Sequence, residues 1–318
     1  MKLKIVATIA LVALFQQTFS QGCSDAGFCT MGAMKPDQAY NRDTNFKLRS
    51  IELSQYRGTT NPLSALIYVT NLDATFSIKE KTFVQLKLPY QAVTGNLGKT
   101  SGIGDISLSV TRQIKRTETY DINATLGTKI PTNSSDLTKE NNEFGNLGSH
   151  LPMYYQVSLG SVDFIAGMSL LSKKWLVAVG YQNALTANNN KFRWSEWNGY
   201  PGGRPYIDQH GVGVELKRGT DVMFRLERNW RFPNFNFSLG ALPIYRITHD
   251  EGKNIVGEYE KINDTTGLAL SIITSFGYHF NVNSSVKFIY GFKLVDRDFN
   301  PDGLTRHNVI TGAYVFRF

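Results

Sequence analysis

Read backwards from the C-terminal end, the chain alternates apolar and polar residues with a period of two. In Asn308 to Phe318, Ile310, Gly312, Tyr314, Phe316 and Phe318 fall on one face, and Val309, Thr311, Ala313, Val315 and Arg317 on the other. That is the spacing of a β-strand, whose successive side chains point to opposite sides. Between Ser285 and Val295 the apolar face is Val286, Phe288, Tyr290, Phe292 and Leu294; between Thr266 and Phe280 it is Leu268, Leu270, Ile272, Phe276, Tyr278 and Phe280. Asn281 to Ser284 reads as the tight turn joining these two segments. Phe235 to Ile247 continues the pattern, with Pro243 predicting a bulge or local break. From Val212 to Trp230 the even positions keep one register, which predicts a single long strand. Shorter alternating runs cover Val84 to Tyr90, Ile106 to Thr111, Tyr120 to Lys129, Val162 to Leu170 and Trp175 to Tyr181, while Phe46 to Tyr56 and Leu63 to Ile78 alternate less cleanly.

The connections have a rhythm of their own. Short turns near Lys79 to Lys81, Lys115 to Thr117, Ser172 to Lys174, Phe232 to Asn234 and Asn281 to Ser284 alternate with long polar segments. The long ones are Thr94 to Ser101, Pro131 to Ser161, Thr186 to Gln209, His249 to Thr265 and Asp298 to His307. A soluble two-sheet protein also alternates along its strands, but its loops need not alternate in length. Short and long connections in turn, with aromatic residues on the outward face, predict an all-β fold: a single transmembrane antiparallel β-barrel of about twelve strands, with short periplasmic turns and long extracellular loops. The terminal Phe318, with aromatics at alternate positions before it, reads as the C-terminal signal of a Gram-negative outer-membrane protein presented to the barrel-assembly machinery. Residues 1–20 have a basic start, an apolar run from Ile5 to Phe15 and a small residue at Ser20, the layout of a cleaved secretory signal peptide. The expected organisation is therefore a signal peptide over 1–20, a periplasmic segment over 21–44 and an outer-membrane barrel over 45–318, with lipid as its first partner.

Composition changes this picture little. Mean hydropathy is −0.23, as expected where only alternate residues meet lipid. The formal charge of +8 is dispersed, with no basic cluster interleaved with stacking aromatics, so nucleic acid is not an expected partner. The two cysteines, Cys23 and Cys29, most simply close a small disulfide in an oxidising compartment. Met31 and Met34 follow them, and the alternative is a soft-metal site, because thiolate and thioether together suit Cu(I). No metal-ligand spacing, dinucleotide fingerprint or nucleophile pattern is present, so no cofactor and no catalysis are expected.

Charges at inward positions are the candidate lumen lining: Asp105, Asp121, Lys129, Glu215, Lys217, Asp221, Arg225, Glu227, Arg231, Arg246, His279, Lys287, Lys293 and Arg317. In a barrel this narrow they are expected to pair across the lumen. In the loop from Phe192 to Tyr206, Trp194, Trp197, Tyr200 and Tyr206 are candidates for catching an apolar ligand or for sitting in the headgroup belt.

Three motifs carry a family resemblance: Leu88-Pro89-Tyr90, Ser101-Gly102-Ile103-Gly104-Asp105, and Lys129-Ile130-Pro131-Thr132. Tyr154-Tyr155-Gln156 then leads into Leu159-Gly160-Ser161-Val162-Asp163. The series resembles the outer-membrane family named for the meta-pathway of phenol degradation, with Asn133 standing where the family has a glycine. The resemblance implies a barrel of about a dozen strands and the transport of small hydrophobic or aromatic compounds. From the residues themselves, Asp105 reads either as a lumen charge or as the partner in a turn and salt bridge. A non-transporting barrel, its Cys/Met segment engaging a periplasmic partner or a soft metal, is the alternative function.

Overall fold

The computed structural model describes residues 31, 34, 47–60, 65–140, 147–197, 213–254, 256–304 and 306–318. Its strands are β1 (Lys47–Thr60), β2 (Ala65–Lys79), β3 (Thr82–Gly95), β4 (Gly98–Ile103), β5 (Ile106–Arg116), β6 (Tyr120–Ile130), β7 (Asp163–Ser172), β8 (Trp175–Ala184), β9 (Asp221–Arg231), β10 (Phe235–Arg246), β11 (Glu251–Lys253), β12 (Tyr259–Lys261), β13 (Gly267–His279), β14 (Ser284–Val295) and β15 (Arg306–Arg317). Each wall strand pairs antiparallel with the next. β15 pairs with β1, β1 with β2 and β2 with β3, which closes the sheet on itself. β4 and β5 lie end to end against β3, so the wall is a closed barrel of twelve strands. Closure leaves no edge strand in the wall. β11 and β12 form a separate hairpin beyond the barrel rim.

Two features depart from the sequence reading. The predicted strand Val212 to Trp230 is a strand only from Asp221 onward; Glu215, with φ 44°, turns the chain before it. The predicted interruption at Pro243 is confined to one side: β10 keeps one register against β13 from Phe235 to Arg246, while its ladder to β9 skips Leu242 and Pro243 and resumes in the same register. Pro243 points outward, and the strand absorbs its missing donor without a bulge. In addition, Thr94 to Ser101, expected as a loop, is a tight hairpin extending β3 into β4.

The alternation sorts cleanly. On β9, Asp221, Met223, Arg225, Glu227 and Asn229 are buried inside, while Phe224, Leu226 and Trp230 are exposed outside. Exposed aromatics gather near both rims. At the short-turn end Phe232 stacks on Phe235 at 4.3 Å, Trp230 meets Phe237 at 5.5 Å and Phe316 meets Phe318 at 5.0 Å. There the Arg228 guanidinium lies 4.9 Å from the Trp175 ring centre and 5.8 Å from that of Trp230. At the other rim Phe164 faces Tyr181, and Tyr90 and Tyr245 stand exposed. An apolar outer surface of this extent is unstable against water, and its two aromatic girdles match the edges of a bilayer.

Candidate functional site

The site is the barrel interior, which is filled in layers. The mouth at the long-loop end is capped by chain folded inward. A 3₁₀ turn at Met153–Tyr155 carries Tyr154 and Tyr155 into an apolar cluster with Leu97, Leu151, Phe192 and Trp197. Backbone groups in the cap are satisfied by side chains: Asn190 Nδ2 donates to the carbonyls of Ser135 and Leu151 at 2.8 and 2.9 Å, and Gln156 Nε2 to that of Leu151 at 2.7 Å. This corrects one expectation. Trp197 is no exposed ligand trap; it is 1 % exposed, and its indole N–H donates to the His150 carbonyl at 3.0 Å. The side chain of Trp194, and Tyr200 and Tyr206, lie outside the described residues.

Below the cap is a charge network. Arg246, fully buried, gives one fork to Asp221 at 2.8 and 2.9 Å and the other to Asp250 at 2.9 Å. Arg297 approaches Asp221 at 3.6 Å. Beside it Arg218 pairs with Asp163 at 2.6 Å, and Gln182 donates to the same carboxylate at 2.6 Å. Lys129 lies 3.5 Å from Asp105, and Arg225 pairs with Glu227 at 2.7 Å. Charges are retained in such an interior only when paired and hydrogen-bonded.

Of the sequence candidates, Asp105, Lys129, Asp221, Arg225, Glu227 and Arg246 thus meet in the upper and middle lumen. Asp121, 3.8 Å from Arg116, and Arg317, bonded to Ser285 at 3.0 Å, belong to the short-turn end, where His279 is half-buried and Arg231 is exposed. Lys287 is buried in the wall interior, and Lys293 pairs with Asp296 at the far end of β14. Glu215 and Lys217 are not lumen residues. They precede β9 and clasp the outer hairpin, Glu215 accepting from Lys253 at 2.7 Å and Lys217 lying 3.9 Å from Glu251. That hydrogen bond holds the Lys253 ammonium above its usual range. Asp163, Arg218, Asp250 and Arg297 were missed by the sequence reading. Asp163 had a signal, because it shares odd parity with Ile165 and Ser169 at the head of its strand; Arg218 lies in an outward run, Asp250 in a segment read as a loop, and Arg297 between the Ser285 to Val295 run and the loop after it.

The motif residues converge on one joint in the wall. Gly104 N–H donates to the Pro89 carbonyl at 2.9 Å, Thr132 Oγ1 donates to the Gly104 carbonyl, and Asn133 Nδ2 donates to the Ile103 carbonyl at 3.1 Å. Asp105 accepts from Ser158 Oγ and from the Leu159 N–H at 2.8 Å. A Cβ on Gly104 would lie 3.0 Å from the Val157 carbonyl, so the strand breaks where the loop backbone comes too close for any side chain. Asp105 is accordingly tied into the turn and a salt bridge while also lining the lumen, so its two expected readings coexist.

Mid-barrel, Met31 and Met34 enter the lumen. Both are buried, in a cluster with Ile165, Met223, Leu242 and Ile273. Inward glycines make the room: an added Cβ would sit 2.9 Å from Met31 Cε at Gly127 and 2.6 Å from Met34 Sδ at Gly167. The two methionines, expected in a periplasmic segment and, in the alternative reading only, as soft-metal ligands, are apolar filling inside the wall. Cys23 and Cys29 lie outside the described residues. Gly167→Val is expected to eject the flexible Met34 side chain, because the other close neighbour is the fixed Val179 carbonyl at 3.0 Å. Peptide mass spectrometry after mild peroxide treatment checks this: Met34 sulfoxide should form faster in the variant, and an unchanged rate would contradict the contact.

Opposite the methionines, a cavity of about 200 Å³ stays open between β1, β2, β3, β5, β14 and β15. Towards the long-loop end its lining is mainly apolar (Tyr56, Ile67, Val69, Leu304 and Val309), with Arg306 set among these residues. Deeper it is charged, with Glu52, Asp73, Lys87, Asp105, Lys129 and Lys287. Ile273 and Ile289 separate it from the methionine cluster.

Comparison with solved structures places this architecture. An outer membrane channel from Pseudomonas putida F1 superposes with a TM-score of 0.56 at 14% identity, covering 89% of this chain and 99% of that one. The fold is shared with that protein. The CymD monoaromatic hydrocarbon channel aligns over 95% of this chain and 94% of its own, at 13% identity and a TM-score of 0.41. The NanC porin aligns over 86% of this chain and all of its own, at 10% identity and a TM-score of 0.46. No family profile and no curated protein sequence matches the chain.

Proposed function

We propose that this chain is an outer-membrane channel for small, mainly hydrophobic or aromatic molecules, exported by a signal peptide over residues 1–20 and inserted through its C-terminal strand. The observation that carries the reading is the cavity of about 200 Å³ inside a closed barrel whose outer face is apolar. Convergent polar groups at one end and apolar walls at the other suit a small amphipathic guest. The likeness in fold to the Pseudomonas putida F1 outer membrane channel is consistent with it, as is the motif resemblance to the meta-pathway family. Planar-bilayer conductance and uptake of labelled benzyl alcohol into protein-containing liposomes test it. Step-like conductance and saturable uptake are expected, and absence of flux in both assays would remove the reading.

The filled mid-lumen and the capped mouth favour a second reading, a closed barrel serving as a structural or interaction module. Its mark would be a barrel that inserts and folds yet conducts nothing even after the methionines are removed.

A further inference from the structure

We infer that the lumen cavity is a binding site for a small aromatic carboxylate, with Arg306 as the residue that receives its anionic head. This deepens the channel reading and rests on it only for the route of access. Arg306 opens β15 and lines the cavity at its apolar end, in the company of Tyr56, Ile67 and Leu304. It is 4 % exposed. Its Nη1 donates to the Gly303 carbonyl at 3.3 Å and its Nε has no hydrogen-bond partner. Among the described residues no carboxylate lies within ion-pair distance of it, whereas Arg218 and Arg225 each hold one and Arg246 two. A guanidinium taken out of water without a counter-charge is costly. It persists where a counter-charge completes it.

The backbone has been altered to aim this side chain. Along most of the β1–β15 ladder the register is constant, with Gly58 opposite Val309, but Thr60 stands opposite Arg306. One extra residue therefore sits in β15 between them. Without that bulge, Arg306 would share the outward parity of Asn308 and Ile310; with it, the side chain swings into the lumen. The turn before it is equally fixed, since Gly303, at φ 62°, donates to the Asn300 carbonyl at 3.0 Å and Asp302 Oδ1 accepts from the Leu304 N–H at 3.0 Å.

The ligand class follows from the surroundings. A guanidinium fork matches the two oxygens of a carboxylate, and the adjacent apolar lining suits a flat hydrocarbon body. Five cationic side chains line the cavity against three carboxylates, a balance that favours a guest carrying negative charge.

Equilibrium dialysis of the purified full-length protein in detergent, with radiolabelled benzoate and its neutral analogue benzyl alcohol, tests the assignment. Wild type should retain benzoate at least about tenfold more tightly than benzyl alcohol, the scale of a charge-assisted hydrogen bond. Arg306→Gln should abolish that preference while leaving benzyl alcohol binding unchanged, and Arg306→Lys should restore part of it. Equal binding of the two compounds by wild type, or benzoate binding unaffected in Arg306→Gln, would overturn the inference. Should Arg306→Gln fail to fold, the wild-type ratio and the Arg306→Lys ratio still decide. Liposome flux of benzyl alcohol without benzoate preference would remove the anion site and leave the channel. Benzoate retained at Arg306 without flux of either compound would do the reverse.

Discussion

Replacing Met31 and Met34 together by serine is expected to open the barrel, raising single-channel conductance well above the wild-type level at the same voltage. Both side chains are enclosed by Ile165, Met223, Leu242 and Ile273, and glycines at 127 and 167 supply their seats. Burying two such side chains contributes about 3–6 kcal/mol. At about 1.4 kcal/mol per decade, their loss shifts the ratio of seated to unseated segment by roughly two to four decades. With the seats empty, Ile273 and Ile289 stand between the vacated space and the existing cavity. Planar-bilayer recording of both proteins settles the matter. Equal conductance in the two would mean that the methionines do not set the passage, and that the inward-folded cap does.

The second large effect concerns Arg246. Arg246→Met is expected to destabilise the barrel by about 3–5 kcal/mol, because it strands Asp221 and Asp250 as buried carboxylates with their common partner gone. Gly219 N–H, which donates to Asp250 at 2.6 Å, cannot compensate a whole charge. Urea-induced unfolding in lipid vesicles, followed by loss of the compact form on unheated gels, measures it. The triple variant Arg246→Met, Asp221→Asn, Asp250→Asn should recover most of the loss, since removing every charge of a buried group is tolerated far better than removing one. If the single variant unfolded at the wild-type urea concentration, the network would be ornamental.

Much of the wall was legible in the sequence because a barrel imposes one rule, out and in by turns, on every strand. β13, β14 and β15 show it along most of their length, and their outward Phe276, Phe288 and Phe316 are exposed as the period requires. The rule fails where the chain leaves the wall while keeping its parity. Val214 and Leu216 continue the even register of β9, yet Glu215 between them is in a left-handed turn, and Leu216 is buried within the cap. Periodicity cannot distinguish a lipid-facing residue from one tucked into a plug. It is equally blind to a bulge, which is why Arg306 reads as loop and yet lines the cavity. Trp197 and the two methionines were misplaced for a related reason: apolar residues outside strands have no period to reveal which surface they meet. The inward charges were found by parity, but their partners Asp163, Asp250 and Arg297 lie at strand heads or in loops, where pairing depends on the closed fold.

Two partly exposed ion pairs, Glu215–Lys253 and Lys217–Glu251, join the hairpin β11–β12 to the rest beside main-chain bonds between Lys217 and Glu251 and from the Lys253 N–H to the Val214 carbonyl, whereas the barrel wall rests on main-chain ladders and enclosed ion pairs. Ions in the surrounding water weaken the first kind of tie far more than the second. In brine the hairpin would thus lose the help of its two ion pairs and rest on its main-chain bonds to residues 214 and 217, while the pore walls stayed as they were.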